Sequence, residues 1–165
     1  MEEIKATLRR LLENIPIESI MTRPTPTVNE NEDLSEVERI FIEQGVSHVC
    51  VVNAQNQLTG LISQKYLYKI RSPQKILPGR VLDDSDNIII DGDSFYDVQT
   101  LDGYILRDLM DKNVTTLAPQ DSLLKAVQYM TRLKVGCIPI VNEHHKVQGV
   151  LKESNIVKML AELSS

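Results

Sequence analysis

The chain has 165 residues, 42 % of them apolar and 25 % charged, with a formal net charge of −5. That mixture excludes a wholly disordered chain, and the negative balance argues against nucleic acid as a partner, because phosphate neutralisation needs a basic face. No stretch approaches the roughly 18 apolar residues of a membrane span, and with 4 % aromatic residues and no Trp the core has to be aliphatic.

In chain order, residues 1–16 come first as a predicted helix, with Ile4, Leu8, Leu11 and Leu12 on one face. That stripe is expected to pack on the rest of the chain or on a second copy. Charges interrupt the apolar residues, so the segment does not read as a signal peptide and the chain is expected to be cytoplasmic. Cys50 and Cys137 lie inside apolar runs, outside any CxxC pair, which suits small reduced core residues.

From Ile20 onward one pattern occurs twice. Placing Met21 over Met110 gives an offset of 89, and the same offset pairs Thr27 with Thr116, Leu34 with Leu123, Val52 with Val141, Asn53 with Asn142 and Gly60 with Gly149. No gap is needed between Ile20/Leu109 and Leu67/Ile156. Each unit opens with an extended piece, Pro26–Val28 or Thr115–Leu117. A polar turn follows, with helix N-cap candidates Asp33 and Ser122. Next comes an amphipathic helix carrying Leu34, Val37 and Phe41, or Leu123, Ala126 and Met130. Gly45 is suited to end the first of these. Two short apolar strands follow, His48–Val52 and Leu58–Ser63, mirrored by Cys137–Val141 and Gln148–Lys152, and then a closing helix, Gln64–Ile70 or Glu153–Leu163. The unit is therefore β-α-β-β-α, in an α/β fold class. At about 50 residues it is too small to bury a sufficient core alone, so two units packed about a pseudo-twofold axis are expected. Units 17–70 and 106–165 are joined by the acidic stretch 71–105, where Asn87–Ile90 and Asp91-Gly92-Asp93 suggest a strand and tight turn. The apolar helix faces also predict a homodimer.

The ordered set Ile20-Met21-Thr22, Thr27-Val28, Gly45, His48-Val49-Cys50-Val51-Val52 and Gly60-Leu61-Ile62-Ser63 closely resembles the CBS (cystathionine β-synthase) module. So does its second copy: Leu109-Met110-Asp111, Thr116-Leu117, Cys137-Ile138-Pro139-Ile140-Val141 and Gly149-Val150-Leu151-Lys152. The resemblance implies a stand-alone tandem CBS pair. It also implies clefts for adenosine-containing ligands such as AMP, ADP, ATP or S-adenosylmethionine, with no cofactor required, and a conformational signal to an unidentified effector protein. In the family a Ser/Thr and an Asp contact phosphate and ribose. Here those positions hold Ser63 and Tyr66 in the first unit, and Lys152 and Asn155 in the second.

The resemblance assigns Thr25, Pro26, His48, Leu61, Ser63 and Tyr66 to one cleft. It assigns Val114, Thr115, Cys137, Pro139, Val150, Lys152 and Asn155 to the other. The second reads as the better nucleotide site, because Asn155 keeps a ribose partner and Lys152 can neutralise phosphate. Each also has a plainer role: Tyr66 as a cleft filler, Lys152 as a solvated strand end, His48 as a neutral strand-end imidazole. His144 and His145 belong to a turn, and the Asp-rich joining stretch lacks the EF-hand order. GxSxG, HExxH, GxxxxGK[ST] and GxGxxG are all absent, so a non-enzymatic role is expected. Two such roles fit: a small-molecule sensor, or a degenerate pair acting as a dimerising interaction module.

Overall fold

The computed structural model describes residues 1–71, 74–75, 88–91, 94–97 and 105–163, with side-chain surroundings for 1–67 and 105–163. Helix α1 spans Glu2–Asn14, followed by a 3-10 turn at Ile17–Ser19. The first unit consists of β1 (Thr27–Asn29), α2 (Leu34–Gln44), β2 (His48–Val52), β3 (Leu58–Ser63) and α3 (Gln64–Arg71). Strands β4 (Gln74–Lys75), β5 (Ile88–Asp91) and β6 (Ser94–Asp97) form a small sheet of order β4-β6-β5. The strand expected at 87–90 is thus seen as β5, while residues 92–93 of its turn lie outside the described residues. The second unit follows the short helix α4 (Leu106–Leu109) and consists of α5 (Leu123–Leu133), β7 (Cys137–Val141), β8 (Val147–Lys152) and α6 (Glu153–Leu163). Its first strand is reduced to a single parallel bridge, Leu117 to Ile140, at the position where β1 pairs Val28 with Val51.

The two units repeat down to their caps and turns. Asp33 Oδ1 accepts from the backbone N–H of Ser35 and Glu36, and Ser122 Oγ accepts from that of Lys125, satisfying donors that the first helical turn leaves open. The C-terminal caps of α2 and α5 are both left-handed, at Gly45 (φ 61°) and Lys134 (φ 55°). Asn53 and Asn142 recur because each side-chain oxygen accepts from two backbone N–H groups of its hairpin turn.

What joins the units is an exchange of the segments that precede them. Ile17 and Met21 lie ahead of the first unit, yet they are buried in the second core with Leu123, Ile138, Ile140 and Leu151. Leu106 and Met110 lie ahead of the second unit, yet they are buried in the first core with Leu34, Val37, Phe41, Val49 and Ile62. Each crossing is pinned by a pair of backbone hydrogen bonds. Thr22 N–H donates to Val150 O at 2.8 Å and Val150 N–H to Thr22 O at 3.1 Å. Leu61 N–H donates to Asp111 O, and Asp111 N–H to Leu61 O, both at 3.0 Å. The chain passes so close here that only glycine fits opposite: a Cβ on Gly149 would lie 2.7 Å from Thr22 O, and one on Gly60 would lie 2.9 Å from Asp111 O.

The exchange bears on two expectations. The helix-face residues predicted to form a dimer surface are spent inside the chain, with Leu34, Val37, Leu123 and Ala126 at 0 % exposure. They cover the sheets and the incoming segments, so no apolar surplus is left on those faces. On α1, Leu12 packs against the second core, whereas Ile4, Leu8 and Leu11 remain exposed. The full stripe is therefore not packed on this chain. Gly60→Ala and Gly149→Ala are each expected to lower stability by about 1–3 kcal/mol, the cost of overpacking. Denaturant titration checks this, and a loss at only one of the two positions would show that the crossings are not equivalent.

Candidate ligand-binding site

Side chains alternate along a strand, and this decides which predicted residues can meet. On β2, Val49 and Val51 enter the first core, which leaves His48 and Cys50 on the opposite face. In the register of β2 with β3, His48 lies opposite Ser63 and Cys50 opposite Leu61. In the second sheet, Cys137 lies opposite Lys152 and Pro139 opposite Val150. The two faces pack on each other: Cys50, Leu58, Cys137, Val141 and Val150 form one buried cluster, with Leu61, Val114 and Val147 against it. Four predicted residues from both units, Leu61, Val114, Cys137 and Val150, are thereby brought together. Pro139 is buried, while Thr25, Pro26 and Thr115 are half-buried just ahead of the first-strand positions.

A cleft of about 180 Å³ opens beside this cluster, lined by Leu61, Ile62, Ser63, Tyr66, Leu109, Met110 and Asp111. It contains the predicted Leu61, Ser63 and Tyr66. It also contains four residues that the sequence did not assign to it: Ile62 of β3, and Leu109, Met110 and Asp111 from the exchanged segment. The Leu109-Met110-Asp111 motif was visible in the sequence, but its place in the other unit's cleft depends on the crossing. Tyr66 is half-buried against the first core, so its ring forms a wall without closing the cleft. Asp111 belongs to this lining, and its Oδ1 accepts from Asn113 N–H at 2.9 Å.

The corresponding position in the second unit is arranged differently. Asn155 Oδ1 accepts from Lys152 N–H at 2.8 Å, and Asn155 Nδ2 donates to Thr22 Oγ1 at 3.0 Å. Its amide caps α6 and clamps the crossing segment at the same time. Each end of the side chain makes one such bond and keeps one further acceptor or donor position, so the crossing orients the amide. Tyr66, at the equivalent position, makes no such clamp, and the two sides are therefore inequivalent.

The electrostatics link the units again. His48 is held below the ordinary histidine range, first by burial and then by the charges of Lys152 and Lys65; Ser47 Oγ lies 3.0 Å from its Nδ1. The imidazole is therefore neutral at pH 7. Lys152 acts on Cys50 across the interface and on Cys137 within its own sheet. Burial pushes the Cys50 thiol up to about 12 and the Cys137 thiol up to about 11. Both are free, protonated core residues, as expected from their apolar surroundings, and are poor nucleophiles in that form. Among the described residues there is no grouping of three or more His, Cys, Asp or Glu side chains able to hold a metal ion, and no helix long and apolar enough to cross a membrane.

This pair of β-α-β-β-α units, with a cleft at the crossing, defines a tandem-repeat α/β architecture. The CBS domain family model matches residues 17–72 and 106–162, and the chain belongs to that family. It is similar in structure to the CBS domain pair of protein MJ0100 in complex with 5′-methylthioadenosine and S-adenosyl-L-methionine (TM-score 0.67, 16 % identity, covering 90 % of this chain and 97 % of that one). It is also similar to CBSX2 in complex with AMP (TM-score 0.68, 15 % identity, covering 92 % and 100 %). In sequence it is 22 % identical to homoserine O-acetyltransferase of Methanococcus vannielii over 144 residues, which is 87 % of this chain but 24 % of the relative. The chain thus spans about a quarter of the length of that curated relative.

Asn155→Ala is expected to cost about 1–2 kcal/mol through loss of the cap and the clamp. Thermal unfolding checks this, and unchanged stability would show that neither bond holds the crossing.

Proposed function

We propose that this chain is a regulatory, ligand-sensing CBS pair that holds one adenosine-containing small molecule in the first-unit cleft. The carrying observation is that the cleft is walled by both units, with Leu61, Ser63 and Tyr66 from one and Leu109, Met110 and Asp111 from the segment that leads into the other. A ligand seated there touches the crossing itself. Binding therefore favours one arrangement of the two units over another, to the extent that its affinity for them differs.

The chemistry suits a nucleoside. Tyr66 offers a ring for stacking on a base, and Leu61 and Met110 offer apolar walls. Asp111 offers the carboxylate that accepts from ribose hydroxyls, a role Tyr66 cannot fill from the family's usual position. At about 180 Å³ the cleft lies below the ~300–1,000 Å³ of typical small-molecule sites. It accommodates the nucleoside and leaves phosphates at its mouth, where the Ser63 hydroxyl can donate. The AMP complex of CBSX2 and the 5′-methylthioadenosine and S-adenosylmethionine complex of the MJ0100 pair support this ligand class.

Signalling to a separate effector and self-association belong to the same reading. The surface available for contact is the outer edge of the helices, where Ile42, Val157, Leu160 and Leu163 are exposed and a groove of about 220 Å³ runs between α5 and α6.

Calorimetry with AMP, ADP, ATP and S-adenosylmethionine tests the proposal. The expected result is saturable binding with one site per chain, and a melting temperature that rises with ligand concentration. Two equivalent sites would contradict the inequivalence of the clefts. Absence of binding by all four at millimolar concentration would leave the interaction-module reading in its place.

A further inference from the structure

Helix α1 contains no buried residue. A helix of this length is marginal in water by itself, and of its residues only Leu12 is half-buried, against the second core. The rest of its apolar stripe is open: Ile4 is 69 % exposed, Leu8 47 % and Leu11 44 %. Met1, Ile4, Leu8 and Leu11 are spaced three, four and three residues apart. That is the alternation by which the seam of one helix meshes with another.

The charges on α1 are sorted along its length. Glu2 and Glu3 stand in the first turn, Arg9 and Arg10 about two turns later. Within the helix Glu2 pairs with Lys5 and Arg9 with Glu13, each at 3.0 Å. Glu3 and Arg10 make no ion pair with a described residue. The three carboxylates of α1 (Glu2, Glu3, Glu13) balance its three cations (Lys5, Arg9, Arg10), so the helix lacks the cationic face that holds an amphipathic helix to an anionic lipid surface. What it carries instead is an acidic end, a basic end and an apolar seam between them.

We propose that α1 is a self-association surface that pairs antiparallel with α1 of a second copy of this chain. The inference rests on the self-association included in the reading above, and names its surface. With one helix turned end for end, Leu8 lies against Ile4 of the second copy and Leu11 against its Met1. The same turn sets Glu3 beside Arg10, and it does so twice, because a twofold contact is reciprocal. A parallel pair would bring Glu3 to Glu3 and Arg10 to Arg10, like charges that repel, and would align the two helix dipoles. A seam this short falls below the ~800 Å² per partner of a standard interface, so the association is reversible and depends on concentration. Val157, Leu160 and Leu163 of α6 have no part in it.

Sedimentation equilibrium of the full chain, over roughly 1 to 500 µM so as to span weak and moderate affinities, tests the proposal. A monomer–dimer equilibrium is expected. Leu8→Glu, at the centre of the seam, is expected to weaken it by roughly a hundredfold, because two carboxylates enter the seam unpaired. Its thermal unfolding is expected to stay unchanged, since the site is exposed in the single chain. Glu3→Arg and Arg10→Glu are each expected to weaken the dimer about tenfold, the scale of two exposed ion pairs turned into repulsions, and the chain carrying both reversals is expected to regain it. Single reversals without effect, or a double variant no better than either single one, would overturn the antiparallel pairing. A dimer that survives Leu8→Glu and dissociates with Leu160→Glu would overturn α1 as the surface while self-association stands. A chain monomeric throughout the range would overturn self-association and this inference with it. A monomer that cosediments with vesicles of phosphatidylcholine and phosphatidylserine, and ceases to with Leu8→Glu, would overturn the pairing and make the stripe a lipid contact.

Discussion

The structure depends on the two crossings at which Gly60 and Gly149 admit the backbone of the segment leading into the opposite unit. Backbone pairs with Asp111 and Thr22 replace what would otherwise be open strand edges. The same close approach carries Ile17, Met21, Leu106 and Met110 into cores that are not their own. Burying each such side chain contributes roughly 1.5–3 kcal/mol, so the four together contribute roughly 6–12 kcal/mol. That is comparable to the ~5–15 kcal/mol net stability of a whole domain. Neither unit can therefore lose the other's segment and remain folded, and a pair of units each too small to stand alone becomes one cooperative domain.

The same constraint produces the site. A segment that crosses from one unit to the other leaves a cleft with walls from both, and anything bound there touches the joint. The repeat would make two such clefts, but two side chains break the symmetry. Asn155 turns inward to cap α6 and to hold Thr22, strengthening the second crossing. Tyr66 makes no equivalent bond and leaves the first cleft open. One unit supplies the opening and the other reinforces it.

The fold was largely legible in the sequence because the repeat is local. The 89-residue offset marks helices, strands and caps whose causes lie within a few residues: Asp33 and Ser122 as N-caps, Asn53 and Asn142 in the turns. Lys134 was hidden, because a left-handed cap on a lysine has no composition signal and only its pairing with Gly45 reveals it. What the apolar helix faces cover was hidden for a related reason. Periodicity shows that Leu34, Val37, Leu123 and Ala126 face something, but it does not say that a segment from the other unit fills that space. The site was half legible. Leu61, Ser63 and Tyr66 lie on the strand and helix that the family pattern marks, while Asp111 and Met110 enter the same cleft through a long-range crossing that no local pattern encodes. The bonds of Asn155 to Lys152 and Thr22 were hidden, because residue type alone does not show which backbone an amide meets.

Native-state hydrogen exchange on the amides of Thr22, Leu61, Asp111 and Val150 tests the central claim most directly. These four N–H groups bond across the two crossings. If the units are interdependent, all four exchange only through global unfolding, with one common opening free energy and one common dependence on denaturant. A pair that opens at markedly lower free energy while the other stays protected would show that the crossings separate independently, and that the exchange of segments does not hold the domain together.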